Sequence, residues 1–395
     1  MIIWSMFMFN VLAITSQRNA LREIRLEAVL RHLQAGGAVS RYVIVDEFMQ
    51  DLPKDFQVNL VWLQRVESMS LIRQIGERTD GHFLYDIDDL LIGFPSYTRD
   101  MPGGSRGAKE GIERCSVLTV TSDRLRLLLE EYVGLPLSSK TVVCPNGIDP
   151  SVPIRKPSAP SGILWTSSDF PALKRSREPV VRAISRFSED CRLPVQCVGH
   201  FDVALQRSLP RASWKGPLPF GQYRKLLGSS RVFIGVSPLE TAGRREDIDF
   251  INGKSDVKML DYGGHGHPGV YSDAAPYHDS DLRTGVLAVN DEGAWFEALE
   301  FNYREGWKRM ADEQTSIIRA RRLDRLAESV WCEAVRRARL KRALPAAVLR
   351  PSATLSRCVS KGISSAYWKW GFLQDTANRL PNSLLRGLRR FLLGK

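Results

Sequence analysis

Residues 231–277 read RVFIGVSPLETAGRREDIDFINGKSDVKMLDYGGHGHPGVYSDAAPY. The run from Arg231 to Leu239 is apolar and β-branched and ends in a proline, which predicts a buried parallel strand and its exit. A polar loop of about a dozen residues follows on this reading. At Gly253 the spacing turns helical, and Lys254 to Tyr262 read as a helix stopped by Gly263 and Gly264. A second short strand, Gly269 to Ser272, leads to Pro276 and Tyr277.

At ~100° per residue, Lys254, Lys258 and Asp261 share one face of that helix while Val257, Met259 and Leu260 turn inward. A start at Gly253 puts Lys254 and Ser255 in the first turn, where unpaired N–H groups and the positive dipole end hold a phosphate. Asp261 then lies about 10 Å further along the face. A carboxylate at that distance can accept ribose hydroxyls, as acidic residues do in dinucleotide folds. The competing reading is a surface helix with i,i+3 and i,i+4 charge pairs, worth a few tenths of a kcal/mol each.

Outward from this stretch the chain alternates strand and helix in both directions. Upstream, strand-like runs occur at 11–14, 42–45, 58–63, 83–87, 117–121 and 141–144, with helical spacing from Ser16 to Leu33 and at 68–78, 105–113 and 123–132. Pro145-Asn146-Gly147-Ile148-Asp149-Pro150 is turn chemistry, and prolines continue to Pro160. A second alternation starts at Ile163 to Thr166 and runs through helices at 173–188 and 220–228 and strands at 195–198, 231–239 and 285–289 to helices at 292–301 and 304–330. The fold class expected is α/β: two Rossmann-like, doubly wound parallel-sheet domains facing a cleft, followed by a basic helical tail. The domains are 1–150, 151–334 and a tail at 335–395.

Composition removes several classes. The 395 residues suffice for two domains, and 43% apolar with 25% charged residues is globular usage. Six scattered cysteines with no CxxC suit reduced thiols rather than a disulfide framework or zinc site. The net charge of +12 is concentrated at one end. From Val335 onward there are fourteen Lys or Arg against one acid, Asp375, a net of +13, so residues 1–334 carry −1. A nearly neutral body argues against nucleic acid as partner. No run reaches the ~20 apolar residues of a membrane span. Met1 to Ile14 has no basic residue ahead of its apolar core, which argues against a signal peptide. It reads as the first buried strand with an apolar lead able to touch a membrane.

In order and spacing, Leu63-Gln64-Arg65, Tyr85-Asp86-Ile87-Asp88-Asp89, Thr121-Ser122, PNGID at 145–149, the strand and Pro-Leu at 231–239, Asn-x-Lys-Ser-Asp-x-Lys-x-Leu-acid-Tyr at 252–262 and Ser-Asp-x-x-Pro-Tyr at 272–277 resemble the GT-B glycosyltransferases of family 4. The resemblance implies a retaining transfer of sugar from a nucleotide-sugar donor to a glycan or lipid-linked glycan, with no cofactor and no essential metal. By it, Lys254 serves catalysis with Ser255 beside it at the diphosphate, Asp256 orients Lys254 or the linker, Asp261 lies at the ribose, and Asp256 and Tyr262 count among the donor-binding residues. The chain departs from the pattern in three ways. The common Glu-x7-Glu pair has Gly253 and Asp261, the glycine-rich loop after the first strand is missing from 13–19, and the family's Arg and Lys pair has only Ser167, Ser168 and Lys174 nearby. Lys258 is the candidate replacement cation. Asp88 and Asp89 are the further catalytic candidates and Arg65 and Asp86 the acceptor-side ones; Arg65 paired with an acid such as Asp88 is the other reading. His265 and His267 read as loop histidines beside the donor element.

Two other readings remain open. Asp86-x-Asp88 also resembles the DxD of metal-dependent GT-A transferases, where carboxylates hold a divalent ion on the diphosphate. Alternatively the α/β body is a scaffold whose tail binds nucleic acid or a partner. The tail mixes Tyr367, Trp368, Trp370 and Phe372 with Lys369, then leucines and Phe391 with Arg386, Arg389 and Arg390, which suits a helix on an anionic membrane. Taken with the resemblance to family 4, this implies a protein on the cytoplasmic face of the cell membrane, in surface polysaccharide synthesis. A helix packing back over the first domain is the competing reading for part of the tail.

Overall fold

The computed structural model describes residues 9–16, 20–47, 52–53, 55–93, 104–167, 173 and 175–350. Six parallel strands form the first sheet: β1 (Phe9–Thr15), β2 (Val39–Asp46), β4 (Leu60–Gln64), β5 (Leu84–Asp86), β6 (Val117–Val120) and β7 (Thr141–Val143), in the order β2-β1-β4-β5-β6-β7. A two-residue strand β3 (Gln57–Val58) stands outside it. The second sheet holds β8 (Ile163–Ser167), β9 (Val195–Gly199), β10 (Ser213–Lys215), β11 (Ile234–Ser237), β12 (Gly269–Ser272) and β13 (Val286–Ala288), in the order β10-β9-β8-β11-β12-β13. Both sheets are doubly wound, as the alternation of runs and helical spacing implies.

Central strands are continuous apolar runs because helices cover both faces. In β1 and β4, Leu12, Ile14, Val61 and Leu63 face one layer while Val11, Ala13, Leu60 and Trp62 face the other. The second sheet divides in the same way, with Ile163 and Trp165 on one side and Leu164 on the other. At Gly235 in β11 an added Cβ would sit 2.4 Å from the Tyr262 ring, so only glycine lets that ring lie on the strand.

Helix boundaries differ from the sequence reading at the stretch that matters most. The polar segment after β11 contains a helix, Arg245–Asn252, and the next helix is Val257–Gly264 rather than one starting at Gly253. Asn252 and Gly253 close the first, and Asp256 precedes the second. Lys254 and Ser255 therefore occupy the turn between two helices.

The carboxyl-terminal chain returns to the first sheet. Ile148 N–H donates to Arg321 O at 2.8 Å and Leu323 N–H to Ile148 O at 2.9 Å, so the two interdomain crossings pair with each other. Helical residues from Leu323 to Arg337 then cover Leu26, Val29 and Leu60, and Trp331 stacks on Trp62 with ring centres 5.0 Å apart. Strand β14 (Leu344–Pro345) pairs antiparallel with β3. Residues 335–350, read from sequence as the start of the tail, thus pack on the first domain, whereas 351–395 lie outside the described residues.

Candidate functional site

The turn at 253–256 stands at the carboxyl edge of the second sheet, where doubly wound folds bind ligands. It abuts the carboxyl edge of the first. An added Cβ at Gly253 would meet Leu90 Cβ at 3.0 Å and Leu125 Cδ1 at 3.4 Å, which explains why no glutamate stands there: the first domain fills its place. Beside this contact Lys254 is half-buried, its ammonium 4.5 Å from the centre of the Phe250 ring. It makes no direct ion pair among the described residues, but its field reaches Asp89. Burial would raise the Asp89 carboxyl; Lys254 and then Arg65 overcome that and hold it below the usual range.

Arg65 follows β4 in the left-handed region, at φ 47°, a strained conformation of the kind found at functional edges. Its Nη1 donates to Asp88 at 2.9 Å and Asp89 at 3.1 Å. Asp88 is buried and its pKa is raised, desolvation outweighing Arg65. Asp86, expected to face the cleft, does not. It has no exposed surface and pairs with the buried Arg25, whose Nε and Nη2 donate to it at 2.6 to 3.2 Å, while Thr119 donates at 2.7 Å.

On the helix face, Lys258 and Asp261 do meet, 3.5 Å apart, and Tyr223 joins them. The Tyr223 hydroxyl donates to Asp261 Oδ2 at 2.7 Å and accepts from Lys258 Nζ at 3.1 Å. Sequence reasoning missed Tyr223, which lies 38 residues from Asp261 in a helix with no local signal of a site. Asp256, expected to orient Lys254 or the linker, receives Arg321 at 2.8 Å and Ser280 at 2.6 Å, and Arg321 also donates to the linker carbonyl of Asn146 at 3.3 Å. Tyr262 is fully buried, its hydroxyl accepting from Thr166 N–H at 3.0 Å, so it anchors β8 and has no surface for a ligand. Ser167 ends β8, half-buried, and Lys174 lies outside the described residues. His267 Nδ1 accepts from Phe233 N–H and Nε2 donates to Leu227 O; burial first, then Arg155, push its pKa down to about 3. His265 donates to Asp261 O at 2.8 Å. Both are neutral structural groups.

The pocket left between the domains encloses about 50 Å³ and is lined by Glu23, Asp149, Phe220, Arg224, Asp261 and His265, with apolar residues between them. On the helix Val257–Gly264 it is lined by Val257, Leu260 and Asp261. Opposite, the cleft is strapped shut: Tyr132 donates to Asp249 at 3.0 Å, Arg245 pairs with Glu131, and Arg124 with Asp279 at 2.6 Å.

The DxD carboxylates do not fit a divalent ion. Asp86 is engaged by Arg25 and Thr119, Asp88 and Asp89 by Arg65, and among the described residues no group of three His, Cys, Asp or Glu is arranged to hold a metal.

One buried acid lies outside this arrangement. Glu47, just after β2, is 6% exposed and its Oε2 has no partner among the described residues. Burial first, then the charges of Glu67 and Asp46, push its pKa up to about 7. The folded chain therefore keeps this proton in a range where the unfolded chain has lost it, so stability falls as pH rises through 7, by about 3 kcal/mol in the limit. Glu47→Gln should unfold with the wild type at pH 5 and at a higher temperature than it at pH 8. Equal melting temperatures at both pH values would refute the shift.

Neither a family model nor a curated protein sequence matches the chain. Solved structures do. Anabaena HepE, in complex with UDP and glucose, is similar over 82% of this chain and 98% of its own, at TM-score 0.59 and 10% identity. The fold is GT-B. The same GT-B arrangement is found in the amino-terminal domain of Candida albicans trehalose-6-phosphate phosphatase (TM-score 0.53, 9% identity, 83% and 97% covered). It recurs in the UDP-GlcNAc 2-epimerase of Neisseria meningitidis bound to UDP-GlcNAc (TM-score 0.50, 10% identity, 83% and 100% covered). A GT-B fold shared at this identity defines the architecture and leaves the reaction to be argued from the site.

Proposed function

We propose that the protein transfers a sugar from a nucleotide-sugar donor to a glycan or lipid-linked glycan, as a family 4-like GT-B enzyme of surface polysaccharide assembly. The observation that carries this is Lys254: a half-buried ammonium without a direct carboxylate partner among the described residues, on a turn that also holds Ser255, its charge felt by Asp89 of the other domain. The diphosphate takes Lys254 and Ser255; the ribose takes the second oxygen of Asp261, whose first is occupied by Tyr223 and Lys258; the base enters the pocket beyond. As the bond from the sugar's anomeric carbon to the diphosphate breaks, charge grows on the leaving oxygen, and a fixed cation stabilises it without a metal. Retention, the outcome in the resembled family, needs no base on the opposite face. HepE with UDP and glucose, and the epimerase with UDP-GlcNAc, support the reading because they bind such ligands in this architecture.

A volume of about 50 Å³ holds a few waters and no nucleotide, so the donor enters when the domains part and the straps open. A thermal-shift screen with UDP, GDP and ADP tests the site. One of them should raise the melting temperature, and a chelator should leave the rise unchanged; a rise lost to the chelator favours the DxD reading, and none at all removes the donor site.

No described helix is long and apolar enough to cross a membrane. For residues 351–395 we propose contact with an anionic membrane, on composition: at ~1 kcal/mol per basic residue near such a surface, their eight Lys and Arg together supply about 8 kcal/mol, and the interleaved aromatic and leucine side chains add to it. Because residues up to 350 pack on the first domain, a protein ending at Arg350 keeps its core. It should sediment with phosphatidylserine liposomes far less than the full chain; equal sedimentation would end the proposal.

A further inference from the structure

We infer that Arg25 and Asn146 are positioning residues that leave the Ser255 hydroxyl as a proton donor to the donor's phosphate, an inference that rests on the donor site proposed above. The directions of a buried hydrogen-bond chain carry it. Arg25, 1% exposed, can only donate, and Asp86, fully buried, accepts from it through both carboxyl oxygens. Arg25 Nη1 also donates to Cys144 O at 2.9 Å and Asn146 Oδ1 at 3.1 Å. Since a guanidinium offers no acceptor, Asn146 must turn its oxygen toward Arg25, and its amide nitrogen then faces Ser255 Oγ at 3.0 Å and donates. A hydroxyl that accepts there keeps its own proton for a further acceptor. Ser255 makes no other hydrogen bond among the described residues, is half-buried and adjoins Lys254. An anionic oxygen beside an ammonium is the acceptor such a hydroxyl suits.

The chain crosses between the domains. Asp86 and Arg25 belong to the first, Ser255 to the second, and Asn146 to the linker, 3% exposed, its carbonyl accepting from Arg321 at 3.3 Å. The donation from Asn146 that turns the Ser255 proton outward is thus made at the boundary between the domains. Trp331 adds its face to Arg25 at 5.0 Å, so the returning carboxyl-terminal helix helps to hold the first link.

The test is calorimetric titration of UDP, GDP and ADP, and of the matching nucleosides, into the full chain. For the diphosphate that binds tightest, Ser255→Ala should weaken affinity about tenfold and leave the nucleoside unchanged. Ser255→Thr should restore it. Asn146→Ala should weaken the diphosphate selectively, and the double variant should bind no worse than Ser255→Ala. The isosteric Asn146→Asp serves if the alanine variant does not fold: its carboxylate would draw the Ser255 proton to itself, so its loss should shrink in the Ser255→Ala background. Additive losses, or a loss shared equally by nucleoside and diphosphate, overturn the inference. Should the wild type bind none of the three diphosphates, the donor site itself falls and takes this inference with it, an outcome separate from additivity.

Discussion

Lys254→Ala should remove the protein's thermal response to nucleoside diphosphates without unfolding it. A ligand held at 100 times its dissociation constant adds ~2.7 kcal/mol of stability. A charge-assisted hydrogen bond contributes roughly 1.5 to 3 kcal/mol, so an ammonium shared by two phosphate oxygens accounts for a hundredfold in affinity or more. At the same ligand concentration the variant then gains only about 0.4 kcal/mol. Lys254 carries little of the fold: its contacts are the Phe250 ring and the field of Asp89, not a buried ion pair. Sugar transfer should fall further than binding, by about 10² to 10³, because the charge that Lys254 offsets is largest in the transition state. Melting curves of both proteins with and without ligand decide it; an unchanged response would take Lys254 out of the site.

What the sequence discloses here follows from how locally each feature is encoded. Strands β1, β4 and β8 are legible because a parallel strand covered on both faces reads as a near-continuous apolar run. The helix Arg245–Asn252 is not: RREDIDFIN has the composition of a loop, and its half-buried Phe250 packs on the core of the first domain, which the local sequence does not announce. The start of the next helix was misplaced by four residues for the same reason, although Asn252-Gly253 is itself a stop signal. Lys258 with Asp261 was within reach, since i,i+3 spacing fixes it, whereas Tyr223 was not. Three acids in Tyr85-Asp86-Ile87-Asp88-Asp89 look alike on paper. Arg25, 61 residues from Asp86 inside LREIRLEAVL, reads as a surface position, and without it nothing separates the acid paired with Arg25 from the two paired with Arg65.

That pair sets up the largest effect on stability. Asp86→Ala should cost 3 to 5 kcal/mol, because it strands a guanidinium that is 1% exposed, with only two neutral oxygens left to receive it. Thr119 loses its acceptor as well. Arg25→Met alone should cost a similar amount for the mirror reason, leaving an unpaired buried carboxylate, and it also orphans Cys144 O and Asn146 Oδ1. Removing both charges is different in kind. Desolvating two ions nearly cancels their attraction, so Arg25→Met with Asp86→Leu should recover most of the loss. The recovery stays incomplete by about one hydrogen bond's worth, 0.5 to 1.5 kcal/mol, for the oxygens Arg25 no longer reaches. Urea unfolding of the two singles and the double forms the cycle: a coupling energy of a few kcal/mol is expected, and losses that simply add would mean that the pair is not the closed unit its distances describe. Because the same guanidinium fixes the amide of Asn146, the double variant should fold nearly as well as the wild type and still bind diphosphate less tightly, so that stability and binding, lost together in the singles, come apart in the double.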